Sequence, residues 1–484
     1  MNAWNEAHWN EDRWPSVAIA DMLQTPPVAG RGALIGLDDW RYAVEIALPD
    51  DPAGVWGVGT WDDGTDESAS WNSLQWHDLT PYSRGETWTT GSDEPYGRPR
   101  IGSLDVEIAN PDDIWSPFNA ARPTAYFGPG TIIRVSVHSP THALRWLPQF
   151  TGLVDSWTFS TRGVGADRPI SIQANQTLRY LSQIDENALD SVVGLDDDAE
   201  ERISRLLEAS DWPYGFKVDA ENLVGAGTQY QLQSTDMAAN RLSECYLSAD
   251  SNDAVFRTDR TGAALLCAPN WFGDDDGADP DVWPLVTLSS AGHGERPYLN
   301  FAPEEFRAVS GGTDSLYVPY DADTFDVSNT DESVVNDVRL ARSGGTQQSF
   351  QQAASIQRYG RRSLVRSDLL NRHDTTVRSL AYHTSFRRGL NSIRIENLDV
   401  STSDRGDDVY LCMLAADIGA SSFVLFPDGS PPGRPSVLGS IRSITHRVTP
   451  RNSGSVTWNT SVSIDTRTVY KLPAAQLPSD PEPV

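Results

Sequence analysis

Period-two alternation of apolar and polar residues runs through most of this chain, and it is clearest in two distant stretches. Residues 150–181 read FTGLVDSWTFSTRGVGADRPISIQANQTLRYL, and residues 439–472 read GSIRSITHRVTPRNSGSVTWNTSVSIDTRTVYKL. Each starts at a glycine, alternates, breaks at a Gly-containing turn and alternates again. Val154, Ser156 and Thr158 stand against Ile441, Ser443 and Thr445, with Trp157 and Ile444 on the other parity. Ile170 and Ile172 then stand against Val462 and Ile464. This is the pattern of two matching β-hairpins, with Val154 equivalent to Ile441 and Ile172 to Ile464.

Between about 30 and 190 the segments YAVEIAL, SLDVEIAN and TIIRVSVHS lead into the first hairpin, separated by Pro, Gly and Asp clusters. Many short strands with such punctuation predict a sandwich or barrel. Helical spacing appears later. DDDAEERISRLLEAS puts Ala199, Ile203, Leu206 and Leu207 on one face and stops before Asp211-Trp212-Pro213, and STDMAANRLSECYL turns Leu242 and Cys245 inward. The turn TDRTG joins the short strands AVFR and AALLCA, so 191–270 predicts a small α+β unit. Strands resume with FRAVSGG, SLYVPY and VVNDVRLARSGG. DTTVRSLAYHTSFRRG then predicts a helix with Val377, Leu380, Ala381 and Thr384 on one face, Asp374 or Thr375 as its cap and Gly389 at its end. SIRIENLDV, VYLCML and FVLF lead into the second hairpin. The expected layout is an arm (1–29), a β domain (30–190), a small α+β domain with an acidic linker (191–290), a second β domain with one helix (291–472) and a Pro-rich tail (473–484).

Charge narrows the partners. With 67 acidic and 38 basic side chains the net charge is −29, and phosphate binding depends on cationic side chains that release counterions. Nucleic acid and anionic membrane are therefore not expected ligands. Lys217 and Lys471 are the only lysines. Cys245, Cys267 and Cys412 are odd in number and lack C-x-x-C spacing, which predicts buried free thiols rather than disulfides or zinc. The N-terminus has no basic n-region or apolar core, and no apolar run approaches membrane length, so folding in a cytoplasm is expected. Trp4, Trp9 and Trp14, five residues apart, share no helix face. They form a candidate interaction arm laid over a neighbouring surface, or a cap on their own domain.

Catalytic patterns are missing. The eight histidines form no H-E-x-x-H, and His373 and His383 are too far apart on their helix to chelate. There is no G-x-S-x-G, and GVG (57–59) and GAG (225–227) are isolated. The acidic run 273–281 fails as an EF-hand, because the twelfth position from Asp274 is Leu285, and reads as a solvated linker. No catalytic, metal or cofactor-binding residue is predicted, and no cofactor. The competing reading is a carbohydrate-binding protein or glycosidase acting on a cell wall, which sixteen tryptophans and many carboxylates could serve. No pair of carboxylates is singled out for it.

Two stretches carry a family resemblance. WHDLTPYSRGETWTTGSDEPYGRPRIGSLDVEIANPDDIWSPFN (76–119), continued by PGTIIRVSVHS and FTGLVDSWTF, resembles the N-terminal pattern of minor tail proteins of long-tailed phages infecting actinobacteria. DESVVNDVRLARSGGTQQSFQQAASIQRYGRRSLVRSDLL (331–370) is similar to a later part of the same proteins. The likeness spans most of 70–472. It implies a mainly β chain in which two tail-tube-like β-barrel domains, 30–190 and 291–472, flank the small α+β domain. It implies a structural, non-enzymatic tail hub (baseplate hub), in which three chains present six barrels to a six-fold tube. The implied location is the distal end of the virion tail, after assembly in the host cytoplasm. The implied partners are two further copies, the tail tube or distal tail protein, the tape-measure protein and tail-tip or receptor-binding proteins. No membrane is involved, and phage DNA passes through without being bound.

Overall fold

The structure is a computed structural model that describes residues 33–35, 40–49, 74–93, 97–116, 128–138, 146–159, 169–184, 197–218, 231–234, 240–267, 299–303, 317–320, 324–329, 331, 333–389, 393–401, 417–418, 421–425, 435–451 and 455–471. Trp4, Trp9, Trp14, the linker 273–281, Cys412, the tail 473–484 and the expected strands at 306–312 and 409–414 lie outside the described residues.

The chain is mainly β. Its first half supplies β1 (Ala33–Ile35), β2 (Arg41–Pro49), β3 (Leu74–Asp78), β4 (Ser83–Gly91), β5 (Arg100–Ile108), β6 (Ile132–His138), β7 (Trp146–Phe159) and β8 (Ile170–Gln176), then a short helix α1 (Arg179–Ser182). The insertion that follows holds α2 (Ala199–Glu208), β9 (Phe216–Val218), α3 (Arg241–Ser251), β10 (Val255–Thr258) and β11 (Ala264–Cys267). Beyond it come β12 (Leu299–Pro303), β13 (Tyr317–Tyr320), β14 (Asp326–Ser328), β15 (Asp337–Arg342), β16 (Gln348–Gln351), α4 (Ala353–Tyr359), β17 (Ser363–Leu369) and α5 (Asp374–Arg388). The last strands are β18 (Arg394–Ser401), β19 (Ser421–Leu425), β20 (Pro435–Pro450) and β21 (Ser455–Lys471).

Alternation sorts the strands as the sequence pattern requires. In β5, Leu104, Val106 and Ile108 are buried while Ser103, Asp105 and Glu107 face water. β2 is different because both its faces are covered. Tyr42, Val44, Ile46 and Leu48 enter the core under the first strands, and Ala47 enters the core of the insertion. Glu45, on the second face, is fully buried, and its register partner Arg134 on β6 donates Nε to it at 2.9 Å. The Arg134 guanidinium lies over the Trp76 ring at 3.8 Å. A buried carboxylate left without that partner would cost several kcal/mol, so covering β2 on both sides demands the ion pair.

Among the described residues fifteen strands form one sheet in the order β13-β12-β19-β20-β4-β5-β8-β7-β6-β2-β1-β21-β18-β14, with β3 beside β2 and β20 also paired to β21. Two separate β bodies were expected. They are instead joined through the long hairpin β20–β21. Its Ile441, Ile444, Val462 and Ile464 lie in one core, with Leu398 and Val424, while its Val448, Val456 and Trp458 lie in the other, with Trp88 and Phe150.

The two hairpins agree in register. Gly152 faces Gln176 and Val154 faces Ala174, with a bulge between Val154 and Ser156, after which Trp157 faces Ile172. In the second hairpin Gly439 faces Thr466 and Ile441 faces Ile464, with a bulge between Ile441 and Ser443, after which Ile444 faces Val462. Val154 thus corresponds to Ile441. Ile172, however, corresponds to Val462, and Ile464 to Ala174; matching isoleucine to isoleucine shifts the second strand by two positions. The flanking strands correspond as well. Ile133 of β6 faces Gly152, as Ser422 of β19 faces Gly439, and Leu104 of β5 faces Ala174, as Ile395 of β18 faces Ile464. The order β5-β8-β7-β6 is repeated as β18-β21-β20-β19.

Two smaller bodies complete the described chain. The insertion buries Ile203, Leu206, Leu207, Leu242, Cys245, Phe256 and Leu266 in a core that it shares with Ala47, Ile132, Leu178 and Leu181. α2 opens on a capping box between Asp198 and Glu201. α3 begins at Arg241, capped by Asn240, with Leu242 and Cys245 buried. Residues 333–389 form a three-stranded sheet β16-β15-β17 covered by α5, with Val338, Leu340, Leu369, Val377 and Ala381 as their core. One helix was expected between 291 and 472; α4 and α5 are both described there. α5 takes His373 as its N-cap residue, with Asp374 in the first turn and Arg387 and Arg388 in the last, which complements the helix dipole.

The repeated glycine is a close-approach requirement. A Cβ at Gly152 would stand 2.3 Å from the Asn175 carbonyl oxygen, and one at Gly439 would stand 2.5 Å from that of Asp465. Gly152→Ala and Gly439→Ala are each expected to destabilise the chain by about 2–4 kcal/mol in denaturant unfolding, whereas Gly344→Asn, in open space at φ 69°, costs under about 1 kcal/mol.

Candidate functional site

The β10–β11 turn is the place where the insertion touches both β copies. Asp259 closes it by accepting from the Thr261 and Ala263 backbone N–H groups, both at 2.9 Å, and it pairs with Lys217 at 2.6 Å. Gly262, at φ 90°, supplies the left-handed residue. The turn carbonyls then receive hydroxyls from the first copy. Thr151 donates to the Arg260 carbonyl at 2.9 Å and Thr177 to the Gly262 carbonyl at 2.6 Å. The Arg260 guanidinium donates to Gln149 of β7 at 3.3 Å.

Arg257 reaches the other way. Its two terminal nitrogens donate to the two carboxylate oxygens of Asp417 at 3.3 and 3.2 Å, a fork-to-fork pair between buried side chains 160 positions apart. Burial works against the Arg257 charge, but Asp417 and Cys267 overcome it and hold the guanidinium above its ordinary value. Arg260 is pulled below its ordinary value by burial, with Asp417 opposing and Arg257 adding to the effect.

His446 of β20 lies behind this joint, tilted against Trp88 with ring centroids 4.9 Å apart. Trp458 Nε1 donates to His446 Nδ1 at 3.2 Å, so Nδ1 carries no proton and the Thr460 hydroxyl, 2.9 Å away, donates to it as well. Burial, then the Arg260 charge, hold the imidazole well below its usual value and therefore neutral. The joint is thus a packed polar lock in which Arg257 is held by Asp417, Asp259 by Lys217 and the turn amides, and Arg260 by Gln149.

A catalytic site is harder to assemble. The carboxyl of Glu86 is displaced to about 8 by burial, against hydrogen bonds from Ser83 and Tyr42. It is sealed in the core beside Tyr42, away from any substrate. Trp40, Trp88, Trp115, Trp212 and Trp458 are buried, so these rings offer no face to a sugar. Among the described residues no group of three His, Cys, Asp or Glu side chains is placed to hold a metal. Cys245 and Cys267 are buried free thiols, and burial pushes the Cys245 thiol up. Among the described residues no helix is long and apolar enough to cross a membrane.

Sequence reasoning identified the TDRTG turn but not its task, since nothing local in Arg257 or Arg260 points to Asp417 or Gln149. The candidate arm residues Trp4, Trp9 and Trp14 and the acidic loop 273–281 lie outside the described residues and have no place in the joint.

No protein-family model matches the sequence, and no curated protein matches it. Solved structures do. The tail protein from Neisseria meningitidis MC58 is similar over 88% of this chain and 96% of its own, with a TM-score of 0.50 and 12% identity. The 43 kDa tail protein of prophage MuSo2 from Shewanella oneidensis covers 82% of this chain and 96% of its own, with a TM-score of 0.43 and 11% identity. An E. coli component of the type VI secretion system, described as structurally similar to T4 bacteriophage tail proteins, covers 82% and 78%, with a TM-score of 0.41 and 8% identity. Of these, the first is similar enough in overall shape to define the class: this chain has the fold of a tail protein.

Two outcomes test the buried groups. Asp417→Asn strands the Arg257 charge and is expected to cost roughly 3 kcal/mol, while Asp417→Asn combined with Arg257→Met recovers part of the loss in a double-mutant cycle. Glu86 keeps its proton to about pH 8 in the folded chain and gives it up near 4.5 when unfolded, so the stability it lends is complete below 4.5 and is lost as the pH rises through 8. Glu86→Gln should match the native chain at pH 4 and exceed its unfolding free energy by roughly 5 kcal/mol at pH 8.5.

Proposed function

We propose that the chain is a structural tail hub of a phage, three copies of which form a ring that closes the distal end of the tail tube and anchors tail-tip or receptor-binding proteins. The observation that supports this best is the repeated register of β5-β8-β7-β6 and β18-β21-β20-β19, glycine and bulge included. A chain containing one module twice lets three subunits meet a six-fold partner, because duplication supplies the missing positions within each subunit. The pairing path from β20 through β4, β5, β8, β7, β6, β2 and β1 to β21 ends on a strand paired with β20, and we read it as the closed barrel of the first module. The second module completes its own barrel around β18–β21.

In this reading residues 30–190 and 291–472 contribute the two modules and 191–290 the insertion that locks them, with 333–389 as a further body outside the ring of modules. The ring contacts the tail tube or distal tail protein above and tip proteins below, and the tape-measure protein and DNA pass through it. The acidic balance of the chain lets DNA slide past a lining that repels phosphate. The chain carries out no catalysis, and the N-terminal tryptophans grip a neighbouring tail protein. The location is the distal virion tail, after assembly in the host cytoplasm.

Gold-labelled antibody against this chain should decorate a single tail end of purified particles. Label along the whole tail, or none on the tail, contradicts the hub, as does release of sugars from host cell wall by the pure chain.

A further inference from the structure

Arg378, Tyr382 and Phe386 succeed one another at intervals of one turn on the solvent side of α5, opposite the buried Val377 and Ala381. Phe386 is 68% exposed and Tyr382 46%, two of the four large apolar side chains exposed among the described residues. Their rings stack at 6.3 Å, and Phe350 of the edge strand β16 meets Tyr382 edge-on at 5.0 Å. Scattered exposed apolar residues need no explanation, but a contiguous aromatic ridge marks a surface that is covered in use.

Charge indicates what covers it. Residues 333–389 contain ten arginines, three aspartates and no lysine or glutamate, a net charge of +7 within a chain of −29, so all other residues together carry −36. Several of these arginines are paired: Arg342 with Asp374 inside the body, Arg366 with Asp250 and Arg387 with Asp253 on the insertion. Arg378 on the ridge and Arg358 on α4 are exposed and have no carboxylate partner among the described residues; Arg358 lies over its neighbour Tyr359 at 5.0 Å. α4 abuts the C-terminal end of α5, where Gln352 donates to the Ser385 carbonyl at 3.0 Å. The surface is therefore aromatic at its centre with cationic side chains beside it.

We propose that this face is a docking surface for a second copy of this chain, the aromatic ridge packing on the neighbour and Arg378 and Arg358 meeting its acidic surface. The inference rests on the hub reading, in which copies stand side by side in a ring, and it says which surface joins them. It also resolves a conflict of charge, since a ring that passes DNA must turn its one strongly basic body away from the lumen or bury it against acid.

The full chain would be weighed by native mass spectrometry and sedimentation over a concentration series, in low and high salt, beside Tyr382→Ser/Phe386→Ser and Arg378→Glu. These side chains are exposed, so the variants should melt like the native chain. The native chain is expected to self-associate, more weakly in high salt, and each variant to raise the half-assembly concentration by about ten-fold or more. Variants that assemble like the native chain overturn this inference and leave the ring standing. A native chain that stays single at every concentration removes both. Duplex DNA binding by the native chain that Arg378→Glu abolishes, with assembly unchanged, would assign the face to nucleic acid instead.

Discussion

The hairpin β20–β21 must fill two cores with one pair of strands. Toward its open end Ile441, Ile444, Val462 and Ile464 pack under the second copy, and toward its turn Val448, Val456 and Trp458 pack under the first. Register is unforgiving in such a pair, because a slip by one residue would reverse every side chain and empty both cores at once. The bulge between Ile441 and Ser443 and the close approach at Gly439 hold the register. The same two devices recur at Val154 and Gly152 in the hairpin β7–β8.

The midpoint of that long hairpin is polar. His446 and Thr460 face each other where the two apolar cores meet, and a neutral imidazole sits there only because Trp458 and Thr460 satisfy Nδ1 and burial forbids its charge. The insertion reaches the same region from outside, with Arg260 on one copy and Arg257 on the Asp417 side. A strongly acidic chain thus spends many of its arginines inward and between bodies, as at Arg134, Arg257, Arg366 and Arg387. Net charge averages over such arrangements, and it concealed the basic character of residues 333–389.

What could be read from the sequence was what repeats locally. The two hairpins, the apolar face of α2, the helix 374–388 and the TDRTG turn all announce themselves by period or turn chemistry within a few residues. The correspondence of Ile172 was misjudged, because side-chain identity was matched where the count from the bulge decides the partner. α4 was missed: seven residues, with an uncapped Gln352 ahead of them and Gly360 behind, give too short a period to register. The separate sheet of β15–β17 and the Arg257–Asp417 pair were illegible for a different reason. A strand carries no local mark of its partner, and a contact across 160 positions depends on how whole bodies dock.

Electron cryo-microscopy of the assembled protein tests the central claim most directly. If one module is written twice so that three chains can meet six positions, the reconstruction will contain three chains, and β5-β8-β7-β6 will superpose on β18-β21-β20-β19 after a rotation of about 60° around the ring axis. An assembly of any other subunit number, or one in which only one of the two modules lies on the ring, would contradict it.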